Sequence, residues 1–372
     1  MYDVAIVGAG INGCAMAYEL TRLGKKVLLL DTEGIAAGGS GAAGAFISPK
    51  FSKAGELKEL LHEAYLYSAE FYRNNFSHVF TQAPLIHIAK DEADDGMLQS
   101  YKAQTSLCLI ETPPCYSALE ETAKQRESVC LDGGIVDAKA ACVALAKESM
   151  FYKHKVKKIH YKDENWVIDE SYCAKDLILA TGAYESLLQE PYIKLRGIWG
   201  HRIDVKTTTQ NSCSLHQYVS ISPTQEGVVA IGATHNVHYH PQKNTEPYNI
   251  QKGREELLYK ASQTLQLENV EVIKDYTGLR SGSFDYIPIL GRVVDSKETL
   301  RCCEKKVKVK RPDYKDFHYY PNLYMINGNG GYGFVLAPYL AKILAEHIVA
   351  QKEIPSSLQL ARFFARWAKR EN

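Results

Sequence analysis

An apolar run, Val4 to Val7 within residues 2–8, opens the chain and stops at Gly8-Ala9-Gly10-Ile11-Asn12-Gly13. Apolar positions then recur at helical spacing from about Cys14 to Leu23, and a second apolar run, Val27 to Leu30, ends on Asp31. Continuous apolar runs bounded by turn residues read as buried strands, and a 3.6-residue period reads as a helix with one buried face. Residues 2–31 therefore predict strand, glycine turn, helix and strand. A third short apolar run, Asp176 to Ala180, ends in Ala-Thr-Gly-Ala. Near the C-terminus, "FVLAPYLAKILAEHIVA" (334–350) is interrupted by Lys342, Glu346 and His347. It predicts an amphipathic helix in a soluble fold rather than a membrane span. "TQEG" (224–227) predicts a turn between strands.

A GxGxxG turn between a strand and a helix, with an acid eighteen residues after its last glycine, predicts a dinucleotide-binding unit. Gly8 permits the tight turn. Gly10 lets the backbone approach a pyrophosphate, and Gly13 lets the helix pack close to the strand. The helix N-terminus supplies N–H groups and partial positive charge, with Ile11 a further contact in the turn. Asp31 would accept hydrogen bonds from the ribose hydroxyls. The small-residue loop "GGSGAAGAFISPK" (38–50), around Ser40 and Gly41, suits a backbone wrapped closely about a bulky cofactor, although a solvent loop can share that composition. The ATG after the third strand, with Thr181 and Gly182, is similar to an element of two-dinucleotide-fold flavoproteins. Together these features favour FAD, held without a covalent bond, over NAD.

Composition narrows the picture less. The 372 residues allow two domains, and a net charge of +1 gives the whole molecule no strong field for nucleic acid or membrane. The nine cysteines are scattered with no CxxC pair, which fits reduced cytoplasmic thiols and offers no metal site. The vicinal Cys302-Cys303 pair reads as two unrelated thiols in a basic loop. No signal peptide is expected, because a strand begins at residue 2.

The chain resembles the D-amino-acid oxidase, glycine oxidase and sarcosine oxidase superfamily, abbreviated DAO. The resemblance runs nearly end to end through motifs in a fixed order: "VGAGINGCAMAYEL", "GGSGAAGAFISP", "GGIVDAKAACVALA", "LILATGA", "LRGIWGH", "VVAIGATHN", "GLRSGSFDYIPILG" and "NGNGGYGFVLAPYLAKILAEHI". Within it, the Ser40–Ser52 pattern, the GxRxxxxDxxPxxG pattern of 278–291 and the basic tail "LARFFARWAKR" (360–370) are similar to the FAD-dependent oxidase domain of the MnmC family. That family modifies the wobble uridine of tRNA. The resemblance implies an α/β fold: a Rossmann-like FAD-binding domain of the glutathione-reductase type plus a mixed-sheet substrate domain. It places residues 1–80, 130–195 and 275–372 in the first and 81–129 and 196–274 in the second. MnmC proteins usually carry a methyltransferase domain before the oxidase. Here the dinucleotide motif begins at residue 2, so the expectation is a stand-alone oxidase whose product a separate methyltransferase would take. The family also leads us to expect a basic residue near the position of Phe284.

The resemblance implies amine oxidation, in which the cofactor carries the chemistry and the protein orients the substrate. Arg280 occupies the position whose guanidinium holds a substrate carboxylate in the resembling oxidases. A bidentate guanidinium is the best match for that group. A structural pair with a distant Asp or Glu is the alternative. The implied substrate is 5-carboxymethylaminomethyluridine in tRNA. A free carboxylate-bearing amine such as glycine, sarcosine or a D-amino acid would use the same grip. "NGNGGYG" (327–333), with Gly328, Gly330, Gly331 and Gly333, predicts a turn whose N–H groups point at the flavin, and Tyr332 would face the substrate. His201 and His235 either line the pocket or are structural. Three basic clusters, 301–311, 153–162 and the tail, are candidates for phosphate contact or plain solvated surface.

Overall fold

The structure is a computed structural model and describes every residue except Lys53, Ala54, Glu185, Ser186 and Asn372. The segment 172–186 therefore ends on two residues that lie outside the described ones. Two sheets of eight strands each organise the chain. The first is built on Tyr2–Val7, flanked in parallel by Val27–Asp31 and Tyr172–Leu179. Met150–Lys153 extends it beyond Val27–Asp31, Tyr319–Asn327 beyond Tyr172–Leu179, and Ile289–Val294 closes one edge antiparallel. Its central strands are buried on both faces, which is why they read as unbroken apolar runs.

Helix Ile11–Arg22 starts three residues earlier than the periodicity predicts, because Gly10 ends extended at ψ −175° and the next residue is already helical. Its apolar face packs with Glu56–Asn75 and Gly333–Ala350 against the first sheet. Gly333–Ala350 has the length and mean hydropathy (1.4) of a membrane-crossing helix, yet half of it is buried inside the protein. It is therefore more uniformly apolar than an amphipathic surface helix.

The second sheet runs, in order, through Glu271–Gly282, Arg196–Lys206, Val228–Gly232, Ser220–Ile221, Ser214–His216, Phe80–Ile88, Ser128–Val136 and Phe46–Ile47. It is antiparallel except where Ser214–His216 meets Phe80–Ile88, so it is mixed, as expected. Gln225 and Val228 close the 224–227 turn, with Glu226 and Gly227 at positive φ. Two ladders cross the expected segment boundaries at 130 and 275. Ser128–Val136 pairs along its whole length with Phe80–Ile88, and Glu271–Gly282 pairs with Arg196–Lys206 from Arg196↔Gly282 to Lys206↔Glu271. The strand carrying Arg280 thus belongs to the second sheet, and that sheet faces the glycine turn of the first across a cavity.

Candidate active site

Three strand ends meet at the glycine turn. Gly8 sits at φ +107° and donates to the Leu30 carbonyl (2.7 Å), and a Cβ there would lie 2.3 Å from the Ala180 carbonyl oxygen. A side chain at Gly13 would lie 1.8 Å from the Gly8 oxygen, so glycine is required for the helix to approach the turn. Asp31 ties the turn together. One carboxylate oxygen accepts from Ala9 N–H (2.8 Å), and the other from Glu33 and Gly34 N–H (2.9 and 3.0 Å). Ser40 Oγ accepts from Ile11 N–H (2.9 Å), capping the helix from a loop 29 residues away.

These elements open on a cavity of about 1120 Å³. The first sheet contributes Gly8, Gly10, Ile11 and Asp31, the small-residue loop Ser40, and the third strand's end Thr181 and Gly182. Gly330, Gly331, Tyr332 and Gly333 border it from the loop that leads into helix Gly333–Ala350. Beside Asp31, the His154 backbone N–H donates to the Asp31 carbonyl (2.7 Å), and residues 154–157 line the wall, so part of the 153–162 cluster belongs to the cavity. Gly13, Gly41 and Gly328 do not line the cavity. Gly13 serves helix packing, and a Cβ at Gly41 would meet the Ala36 oxygen at 2.2 Å. Gly328 takes φ +80° against Ser283. Small residues of the 38–50 loop have a further reason: Gly39 and Gly278 pack backbone to backbone, a Cβ on Gly278 lying 2.8 Å from Gly39 Cα.

The loop 327–333 is held by its own hydrogen bonds. Gly328 N–H donates to Asn327 Oδ1, Gly330 N–H to the Ser281 carbonyl and Tyr332 N–H to the Asn329 carbonyl. Two of these N–H groups hold the loop itself, and the third ties it to the strand of Arg280. Asn327 reaches the Gly182 carbonyl (3.0 Å) and Asn329 reaches Asn12 (2.7 Å), locking the loop to the nucleotide motifs. A Cβ at Gly330 or Gly331 would meet nothing within 4 Å, so these two glycines front open space. Tyr332 lies on the cavity wall under the Lys50 ammonium, 5.6 Å from its ring centre, and burial raises the phenol pKa.

Arg280 projects into this space from the end of its strand. Its one hydrogen bond goes to the Thr234 carbonyl (3.1 Å), and among the described residues no carboxylate pairs with it. Burial lowers its pKa, as expected of a cation enclosed without a counter-ion. The structural-pair alternative thus finds no partner among the described residues. The neighbouring strand makes room through Gly200, where a Cβ would lie 2.4 Å from the Arg280 terminal nitrogen. Gly200 was not singled out from the sequence, because only the Ile198↔Arg280 register brings the two together.

Two histidines were also missed. His87 and His216 are register partners on adjacent strands and both line the cavity. Phe51 stacks on His87 (4.5 Å, 14°) and Phe46 meets His216 edge-on (4.9 Å). Burial, assisted at His87 by the Lys90 and Lys50 ammoniums and at His216 by the neighbouring His87, lowers their pKa to about 4 and about 3, so both rings are neutral near pH 7. His87 Nδ1 and His216 Nε2 are sealed off without partners. A buried bare lone pair costs less than a buried orphan N–H, which favours the tautomer with the proton on the other ring nitrogen. The signal was there in "LIHIA", a single polar residue within an apolar strand, whereas His216 in "SLHQ" stands among other polar residues.

His201 and His235 resolve as structural or peripheral. His201 is fully buried and pairs through Nε2 with Asp275 (2.9 Å), which also binds Arg254. His235 lines a separate surface groove. The tail is an internal staple. Arg362, 5% exposed, forks onto Asp285 (3.0 and 3.0 Å) and binds the carbonyls of Ile287, Pro288, Leu358 and Gln359, and Arg366 also pairs with Asp285. In the 301–311 cluster, Arg301, Lys306 and Lys308 are paired with Glu298, Asp316 and Glu304. Cys302 and Cys303 lie in the helix Ser296–Val307, kinked at Cys303, rather than in a loop, and both are free thiols.

The chain belongs to the family described as DAO, FAD dependent oxidoreductase, which matches residues 3–347. It is an FAD-dependent oxidoreductase. It is 24% identical over 390 residues to the tRNA 5-methylaminomethyl-2-thiouridine biosynthesis bifunctional protein MnmC of Legionella pneumophila, covering 96% of this chain and 56% of that protein. It is 26% identical to the protein of the same name from Leptospira interrogans, over 98% of this chain and 60% of the relative. The chain thus spans little more than half the length of these relatives. Among solved structures it is similar to glycine oxidase from Geobacillus kaustophilus (TM-score 0.75, 20% identity, 97% of each chain) and to L-proline dehydrogenase from P. horikoshii (TM-score 0.76, 15% identity, 97% of each chain). At such identities the structural likeness speaks for the fold.

The residues present fit FAD. The cavity is large enough for a dinucleotide, a glycine turn and helix N-terminus open on it, and Gly330 and Gly331 leave space where side chains would stand. Two buried polar atoms on its wall, Ser281 Oγ and Asn329 Oδ1, have no protein partner.

Proposed function

We propose that this protein oxidises the glycine-like arm of 5-carboxymethylaminomethyluridine at the wobble position of tRNA, leaving 5-aminomethyluridine and releasing glyoxylate. The observation that carries the reading is Arg280, a cation at the cavity with no counter-ion among the described residues. The likeness to MnmC relatives over nearly the whole chain supports the choice of substrate.

Gly8, Gly10, Ile11, Asp31, Ser40, Thr181 and Gly182 would hold the nucleotide part of FAD, and Gly330, Gly331, Tyr332 and Gly333 its ring end. Bound FAD supplies the two-electron acceptor for the arm's C–H bond. Arg280 grips the arm's carboxylate, fixing the methylene carbon next to it, with Gly200 leaving the guanidinium its place. Loss of a hydride equivalent from the carbon (its hydrogen with two electrons) to that acceptor, and of the proton from nitrogen, turns the arm into an imine. Water adds to that carbon, the C–N bond breaks, and the aldehyde leaves with the carboxylate still on it. His87 and His216 offer neutral N–H donors to uncharged acceptors without adding a charge that would compete for the carboxylate.

Free glycine or sarcosine is a second reading, favoured by the structural likeness to glycine oxidase, since Arg280 recognises the carboxylate rather than what bears it. Incubation with tRNA carrying the carboxymethylaminomethyl group, followed by nucleoside analysis, separates the two. Conversion to the aminomethyl nucleoside supports the tRNA reading. Unchanged tRNA, with oxidation of free amino acids, refutes it.

A further inference from the structure

A groove of about 470 Å³ lies on the outer side of the strands that carry Arg280 and its register partner Ile198. Arg196, Lys243 and three histidines line it, and among the described residues no aspartate or glutamate does. At its rim Phe284 and Tyr286 stand 55% and 66% exposed. Rings that bare are unusual beside a cation, and here the cation stacks on both: the Arg196 guanidinium lies 4.4 Å from the Tyr286 ring centre and 5.6 Å from that of Phe284. Two hydrogen bonds to the Ser283 carbonyl (2.8 and 3.2 Å) fix Arg196 in that place. Among the described residues neither Arg196 nor Lys243 forms an ion pair. The cations of the 301–311 cluster and the tail that were traced above are neutralised by carboxylates.

The groove adjoins the cavity. Gln242 lines the cavity and its neighbour Lys243 the groove, so one loop borders both. Phe284 follows Arg280 by four residues, a chain distance of at most roughly 13 Å. A uridine whose arm reaches Arg280 would thus leave its flanking nucleotides beside Phe284 and Tyr286. Unpaired cations with exposed rings and no carboxylate are what single-stranded RNA requires: bases stack on the rings and phosphates meet the charges.

We propose that this groove docks the single-stranded anticodon loop on either side of the reacting uridine. The proposal rests on the tRNA reading above and adds to it the surface that selects a loop over a free amino acid. Its test uses the FAD-loaded full chain and a synthetic anticodon stem-loop with unmodified uridine at the wobble position. The Phe284→Ala/Tyr286→Ala double variant should bind this RNA about tenfold or more weakly, by loss of base stacking. Lys243→Glu, a change on an exposed loop, should weaken binding and flatten its salt dependence by a slope of about one or more. Retention of the flavin spectrum certifies that each variant is folded. Modified tRNA is offered to the wild-type protein in parallel. If it is converted while both variants bind the stem-loop as tightly as wild type, the groove is not the docking surface and the function stands. If it is left unchanged, the function falls and the groove with it. Equal affinity for a fully duplex RNA would also overturn the proposal, since paired bases cannot stack on the rings.

Discussion

Arg280 shows how a single residue's environment narrows a function. A half-buried arginine that donates to a carbonyl, with no carboxylate beside it among the described residues, gains most if its counter-charge arrives with a ligand, because an unpaired charge withdrawn from water is expensive. Arg280→Ala should retain FAD and lose about 100-fold or more in kcat/KM, the equivalent of ~3 kcal/mol for a charged hydrogen-bonded contact. Steady-state kinetics beside the flavin spectrum checks this, and unchanged turnover would remove Arg280 from the site. Gly200→Ala asks the same question indirectly. A methyl group 2.4 Å from the guanidinium must displace it, so KM should rise while FAD content stays constant. Arg280 was legible from its motif. Gly200, His87 and His216 were not singled out, because their roles depend on which strands lie side by side.

At the scale of elements, local geometry was legible and long-range pairing was not. The glycine turn announces itself because each glycine answers a nearby backbone constraint, as at Gly8 and Gly13. The basic tail misled for the opposite reason. Arg362 and Arg366 find their carboxylate, Asp285, 77 and 81 residues earlier in the chain, and spacing alone cannot reveal such a partner. Burial raises the Asp285 pKa, but the two arginines outweigh it and hold the carboxyl below its usual range. Arg362→Ala should therefore destabilise the fold by about 3 kcal/mol or more, measured as a lowered midpoint in denaturant with an unchanged slope. A midpoint equal to wild type would mean that the tail is not a staple.

Across the whole molecule, two sheets enclose one cavity, with the nucleotide motifs on the first and Arg280, His87 and His216 on the second. The histidine pair gives the assembly a pH signature. Their folded pKa values, about 4 and about 3, lie below the ordinary value of 6.5, so the unfolded chain binds more protons on falling through that range. Their contribution to stability is present above about pH 6.5 and is lost as the pH falls toward 4 and then 3. Replacing both with phenylalanine should flatten the fall in denaturant midpoint between pH 7 and pH 5, and an identical fall would show that other groups set it.

The most direct measurement of the central claim is anaerobic mixing of the FAD-loaded protein with tRNA, following the absorbance of the oxidised flavin. Carboxymethylaminomethyl-tRNA should bleach it, and the Arg280→Ala protein should stay yellow with the same tRNA. Aminomethyl-tRNA, which lacks the carboxylate, should leave the wild-type protein yellow. Bleaching by free glycine or sarcosine with none by the modified tRNA would contradict the account.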